Sequence, residues 1–312
     1  MSNFTPAAIK KRATQGVFFK YQLFNEPPVT SRQKVDLIGQ TIIVTGANTG
    51  LGLEYSNQLI IAVRSIAKGE EAKQQLLNQY RGQRSDNSKV RVEVWLLDLA
   101  SYKSILAFVE RTKILDRLDV ESVQINFLFT ALLILLLISV LRSKNTPQRP
   151  DRIIIVSSDT SQDTRLLLAG FNNKVLFSED CYATSKFLNR LFIYELTKRV
   201  LLFVVVINRP NPGLCKSGLV CKYCGIFIGF IFSIMEAILA RKLAVGVCAF
   251  TDAAVNYGPE SHGQYIENGK LAAWAPILYK SKGEKIRKQL WEELMGKLAF
   301  AKVEDILKGI SA

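Results

Sequence analysis

Tyr182 and Lys186 stand four residues apart in Tyr182-Ala183-Thr184-Ser185-Lys186, so on a helix phenol and ammonium share a face. A lysine cation beside a phenol favours the phenolate. It draws the phenol pKa down from about 10, towards the range where a proton can be exchanged with a carbonyl or an alkoxide. The spacing alone is common and more often marks a surface pair, but it does not stand alone. Thr45-Gly46-Ala47-Asn48-Thr49-Gly50-Leu51-Gly52 follows the β-branched run Thr41-Ile42-Ile43-Val44 and opens a helical stretch at Leu51. Its glycines allow a tight turn and a close backbone approach, while free N–H groups and the helix dipole attract a pyrophosphate. The spacing is Gly-x3-Gly-x-Gly, unlike the Gly-x-Gly-x2-Gly of ordinary dinucleotide turns. With Ser157-Ser158 closing a strand and Asn211-Pro212-Gly213 further on, the set exceeds what chance produces.

The elements that must hold these residues alternate. Strands are expected at 41–45, 60–63, 90–97, from Leu118, at 152–158 and at 201–208. Helices are expected from Leu51, at 67–79, from Ser101 to about Thr112, from Tyr182 to Lys198, and from Glu284 to Leu307 as a closing amphipathic helix. This order predicts an α/β fold: a doubly wound, mostly parallel, Rossmann-like sheet in a three-layer αβα single domain. The chemical stretches then fall at the carboxyl ends of strands, where such sheets bind ligands. Residues 1–38 read as an N-terminal arm and 39–312 as the domain, with an apolar insertion at about 218–245 that would serve as a lid over substrate.

Two connections are too short for this plan. A right-handed crossover needs about a dozen residues or more, including a helix that runs back along the sheet. Only Leu53 to Leu59 separate the glycine turn from the second strand. Seven helical residues cover about 10 Å, whereas a five-residue strand spans about 17 Å. The strand beginning at Leu118-Asp119-Val120 is likewise cut off at Glu121.

Composition narrows the function classes. The net charge of +14 suits an anionic ligand or surface, yet the basic residues are dispersed and no nucleic-acid-reading motif accompanies them. A solvated basic surface is the first reading, peripheral contact with an acidic membrane the second, and nucleic acid is not expected. Cysteines at 181, 215, 221, 224 and 248 form no regular framework, so a reducing, cytoplasmic setting is expected, with membrane association kept open. Cys221-x2-Cys224 lacks a second pair and His262 is the only histidine, which argues against a metal site and against a Ser-His-Asp hydrolase. No cleavable signal is expected at residues 1–20, where basic and apolar residues mix. The fifteen-residue apolar run Phe127 to Leu141 reads as a helix buried between the sheet and a subunit neighbour, with a membrane segment as the alternative, and a second copy of the chain is kept as a candidate partner.

On these residues the chain resembles the short-chain dehydrogenase/reductase superfamily, in particular its retinol-dehydrogenase-like and fungal branch, over about 36–300. The resemblance implies that Thr45, Gly46, Asn48, Thr49, Gly50, Leu51 and Gly52 form the cofactor loop, and that Asp98, with Leu99, lies against the adenine. It implies a tetrad of Asn126, Ser158, Tyr182 and Lys186. In that tetrad Tyr182 is the general acid/base, Lys186 lowers its pKa and holds the nicotinamide ribose, Ser158 polarises the carbonyl and Asn126 anchors a relay water. Pro212, Gly213 and Ser217 flank the nicotinamide. Arg64, ending the second strand, is placed to meet a 2′-phosphate, so NADP is expected ahead of NAD. The implied activity interconverts a carbonyl and an alcohol on a small lipophilic substrate. The chain departs from the family's pattern twice: the full turn and strand before Arg64 is missing, and so is the Asn-Asn-Ala-Gly connection after the strand at Leu118. These are the two places where the crossover arithmetic fails. A degenerate, non-catalytic relative that binds nucleotide or a partner is therefore the alternative.

Overall fold

The computed structural model describes residues 4–12, 14–29, 40–45, 58–80, 91–123, 127–144, 151–157, 181–216 and 237–311, with the backbone alone at 12, 15, 79–80, 120–123, 181–184 and 311. Two short helices, α1 (Pro6–Arg12) and α2 (Gln15–Phe24), precede the first strand. Then come β1 (Thr41–Thr45), β2 (Gln58–Val63), α3 (Ile66–Tyr80), β3 (Arg91–Leu96), α4 (Tyr102–Lys113), β4 (Val120–Val123), α5 (Phe127–Lys144) and β5 (Asp151–Ile155). The second half holds α6 (Cys181–Leu196), β6 (Val205–Asn211), α7 (Leu243–Val255), β7 (Tyr265–Glu267), β8 (Lys270–Ala272), α8 (Ser281–Leu298) and α9 (Val303–Ser311).

The eight strands form one sheet in the order β3-β2-β1-β4-β5-β6-β7-β8, parallel throughout except for β8. Alternate residues of each covered strand enter opposite cores. Ile43, Ile60, Ile153, Ile155 and Ile207 join α4, α5, α6, α8 and α9 on one face, while Ile42, Val44, Leu59, Ile61 and Ile154 join α3 and α7 on the other. This is the doubly wound, three-layer architecture expected from the sequence.

Asp119 ties three strands together at the end remote from the ligand crevice. Its carboxylate accepts from the Thr41 N–H at 2.9 Å, its own N–H donates to Thr41 O, and its carbonyl accepts from Arg152 N–H at 2.8 Å. The next four residues make the central strand β4, which sets Glu121 opposite Ile43 and Ser122 opposite Val44. Polar residues in a strand enclosed on both sides run against the apolar habit of parallel sheets.

Helix α5 is buried from Thr130 to Ile138 and again at Val140 and Leu141. Among the described residues it is long and apolar enough to cross a membrane, by length and composition only. Here its outer neighbours are the chain's own α4, α6 and α9, where the sequence suggested a second subunit. Helices α8 and α9 also correct the expectation of one closing helix. The chain breaks at Ala299–Ala301, and Lys302 takes a left-handed conformation (φ 52°). The arm lies against the domain: the Gln22 side chain donates to Leu214 O and Leu239 O at 2.8 and 2.7 Å and accepts from Leu214 N–H. Residues 217–236, most of the expected lid, lie outside the described residues, and 243–245 belong to α7.

Helices α6 and α8 are joined by a buried carboxylate. Glu195 accepts from Arg287 Nε at 2.9 Å, Arg199 Nη1 at 2.8 Å and Lys198 Nζ at 3.1 Å. Burial raises the Glu195 pKa, but the three cations together outweigh it and hold the group at about 2. A carboxylate depressed in the folded state contributes stability above the unfolded value, near 4.3, and loses it as pH falls towards 2. Glu195→Gln, which leaves the Arg287 guanidinium without its buried carboxylate, is expected to cost about 3–5 kcal/mol at pH 7. Urea unfolding at pH 7 and at pH 3 checks this, and the loss should be smaller at pH 3.

Candidate active site

The expected ligand crevice lies across the carboxyl ends of β1, β4, β5 and β6. Thr45 is the last residue of β1 and is buried. Gly46, Asn48, Thr49, Gly50, Leu51 and Gly52, the rest of the expected cofactor loop, lie outside the described residues. The strands on either side define what that loop must do. The parallel register runs from Thr41↔Gln58 to Thr45↔Ala62, so the chain leaving Thr45 has residues 46–57 in which to turn and return to the opposite end of the ladder. If the glycine loop takes 46–52, five residues remain. Helical, they cover about 7.5 Å, against about 17 Å along the strand.

Around the crevice the other expected residues fall as follows. Arg64 directly follows β2 and is exposed at that strand's carboxyl end, as a 2′-phosphate contact requires. Asp98 follows β3, and its position has a local cause: Oδ1 accepts from Ala100 N–H at 2.9 Å while its own N–H donates to Ser104 Oγ, so it shapes the entry to α4 beside the Ser101 cap. Leu99 is buried beneath it. Asn126 and Ser158 lie outside the described residues, although each adjoins a described element: Asn126 immediately precedes α5, and Ser158 follows Ser157. After β6, which begins at Val205 where the sequence suggested Leu201 and runs to Asn211, Gly213 takes φ +73° and its N–H donates to Asn211 Oδ1. A Cβ there would lie 2.7 Å from both Arg241 Nη1 and Gln22 Oε1, so the turn admits glycine on two counts. Pro212 is half-buried in the same turn, and Ser217 is outside the described residues.

Tyr182 and Lys186 do lie one turn apart on a helix, in the first turns of α6. The Lys186 side chain is buried and its Nζ donates to Val156 O at 3.3 Å, so the ammonium sits against the carboxyl end of β5. Two groups that sequence reasoning missed share this layer. Arg209 of β6 is fully buried and donates from Nη2 to Ser157 Oγ at 3.1 Å, and Arg190 of α6 lies over the Tyr265 ring. The signal available for Arg209 was a charge inside the run Val205-Val206-Ile207-Asn208-Arg209. Nothing beyond that marked it.

Burial, and after it the Arg209 guanidinium, lowers the Lys186 pKa to about 8. Because the unfolded value is near 10.4, the charged lysine destabilises the fold at every pH below about 8, and the penalty is relieved as pH rises between the two values. Lys186→Met is expected to raise the unfolding free energy at pH 7 by on the order of 3 kcal/mol, with the gain vanishing near pH 10.5. Denaturant midpoints measured across that range decide it, and a gain independent of pH contradicts it.

No family model matches the chain. Over 334 aligned positions it is 37% identical to the short-chain dehydrogenase fogG of Aspergillus ruber, with 94% of each chain covered. It is 33% identical over 333 positions to the short chain dehydrogenase/reductase mfmJ of Annulohypoxylon moriforme, again with 94% of each covered. These alignments take in 94% of 312 residues yet are longer than the chain itself, so about forty positions in each have no residue of this chain opposite them. Such a shortfall is what two abbreviated connections would leave. The fold is similar to that of the NADPH-bound carbonyl reductase from chicken fatty liver, with a TM-score of 0.52 at 15% identity, covering 77% of this chain and 100% of that one. The chain belongs to the short-chain dehydrogenase/reductase superfamily of NAD(P)-dependent oxidoreductases.

Proposed function

We propose that this oxidoreductase uses NADP(H) to interconvert a carbonyl and an alcohol on a small lipophilic substrate. The observation that carries the reading is Lys186, buried against the end of β5 one helical turn after Tyr182. Arg64, exposed at the end of β2, supports NADP over NAD, as does the NADPH bound to a carbonyl reductase of the same fold. The dinucleotide, when bound, supplies or accepts the hydride. Tyr182 donates its phenolic proton to the alkoxide oxygen as the carbonyl is reduced, and the Lys186 ammonium favours the phenolate that results. Ser158 steadies the developing oxyanion, and Pro212 and Gly213 form the turn beyond β6 that flanks the nicotinamide.

A second reading is favoured by a specific observation: the twelve residues between β1 and β2 and the polar central strand β4. Under it the chain keeps the fold but binds nucleotide too weakly to turn over. The readings separate in an assay of NADPH oxidation against a panel of aldehydes and ketones. The first requires turnover that Tyr182→Phe lowers by about 100-fold or more. No turnover, from a folded chain that does not bind NADPH, favours the second. Arg64→Ala is expected to weaken NADPH by about tenfold while leaving NADH unchanged, and equal losses for the two cofactors would contradict the assigned role.

A further inference from the structure

Gln22 of the N-terminal arm is 192 residues from Leu214 and 217 from Leu239, yet its buried carboxamide is taken up by those two. Oε1 accepts from Leu214 N–H at 3.0 Å, while Nε2 donates to Leu214 O at 2.8 Å and to Leu239 O at 2.7 Å. A primary carboxamide has two N–H donors and both are used, so the side chain pairs with Leu214 as a neighbouring strand would. Arg241 ties the same segments from the other side. Its Nη1 donates to Pro212 O at 3.1 Å, and its Nη2 to Tyr21 O at 2.9 Å and to Asn25 O. Tyr21 and Asn25 are in the last turn and the cap of α2, where open carbonyls and the negative end of the helix dipole favour a guanidinium.

What these bonds enclose is the Pro212-Gly213 turn. It leaves the carboxyl end of β6, the strand beside β5, whose own end receives Lys186. The space where a side chain at Gly213 would begin is filled by Gln22 Oε1 and Arg241 Nη1, so the backbone of the turn rests directly on the arm. Just past the turn the chain is held again: Arg241 N–H donates to Leu214 O and Lys216 N–H to Arg241 O, both at 2.9 Å. Further along the arm, Pro28 meets the turn after β7, where a Cβ at Gly269 would lie 2.6 Å from Pro28 Cδ. The arm thus braces the turns that follow two neighbouring parallel strands, β6 and β7, at their carboxyl ends. Phe19, Leu23 and Phe24 of α2 are exposed, so the docking of this helix relies on directional polar bonds more than on apolar burial, and such bonds fix register as well as contact.

We propose that Gln22 is a positioning residue: through it, and with Arg241, the N-terminal arm sets the Pro212-Gly213 turn against the nicotinamide end of the cofactor. The proposal rests on the oxidoreductase reading and adds to it an element outside the strand–helix alternation, one that decides where the hydride-bearing ring stands.

The test separates the two ends of the cofactor. Dissociation constants of the full chain are measured for NADPH and for adenosine 2′,5′-bisphosphate, which carries the 2′-phosphate but no nicotinamide. Gln22→Met removes all three bonds with little change in length; it should weaken NADPH by about tenfold and the bisphosphate by less than about twofold. Gln22→Glu keeps the acceptor and gives up both donated bonds. It should weaken NADPH several-fold, which carries the test should the methionine variant not fold. Hydrogen exchange gives a readout without cofactor: the Leu214 and Lys216 amides should exchange about tenfold faster in Gln22→Met, with those of Val205 to Ile207 unchanged. A purely structural arm would instead lower the unfolding midpoint and weaken both ligands alike. Equal losses for the two ligands, or undiminished NADPH binding in either folded variant, overturns the proposal. No NADPH bound by the unaltered chain would remove the oxidoreductase reading and the proposal with it, whereas NADPH-dependent ketone reduction undiminished by both substitutions would count against the arm's role alone.

Discussion

A parallel sheet imposes one demand that the rest of this structure depends on: after each strand the chain must be carried back the full length of the sheet before the next can begin. Most crossovers here meet it with a helix. Helix α3 returns the chain from β2 to β3, α4 from β3 to β4, and the eighteen-residue α5 from β4 to β5. Between β1 and β2 the allowance is residues 46–57, which must also supply the glycine turn. The pairing of these strands is nevertheless complete over five residues, because both are apolar on both faces and gain from enclosure. Hydrophobic burial is not selective about what connects two strands, whereas a dinucleotide site is. The fold can therefore persist where the site at the same strand ends is compromised.

The two halves of the crevice differ on this account. On the side of β5 and β6 the proposed catalytic groups rest on long, well-buried elements: α6 is anchored by Phe187, Leu191 and Ile193 and clamped to α8 through Glu195 and Arg287. On the side of β1 and β4 the supports are a short loop and a four-residue strand carrying Glu121 and Ser122. Charge follows the same division. Lys186, Arg190 and Arg209 converge behind β5 and β6, whereas the acidic Asp119 sits at the far end of the sheet, holding strand starts in place.

How much of this could be read from the sequence follows from the range of each interaction. Helix α6 was legible because Tyr182 and Lys186 recur at helical spacing, and β1, β2 and β5 because their β-branched runs are short and bounded by turn residues. The short connections were legible as arithmetic alone. The start of β6 was not: the apolar run from Leu201 reads as strand, yet Leu201 to Val204 form a turn and the ladder with β5 begins at Val205, while Ser157 N–H donates to Pro210 O beyond the last ladder pair and β7 takes up the other edge from Arg209. Nor was the break before α9, since Lys302 takes a left-handed conformation with no glycine to announce it. Gln22 reaches carbonyls some two hundred residues away, and Arg209 depends on what faces β6, so neither had a local signature.

The elements on the side of β5 and β6 are long and well buried, whereas the connection on the cofactor side is short. The most direct test compares the NADPH dissociation constant of this chain with that of a chain given a full helical crossover between Gly52 and Gln58 and an Asn-Asn-Ala-Gly connection after Val120. A misplacement of about 1 Å can cost around a hundredfold, so the lengthened chain should bind NADPH about a hundredfold more tightly. Equal and tight binding by both chains would contradict the account.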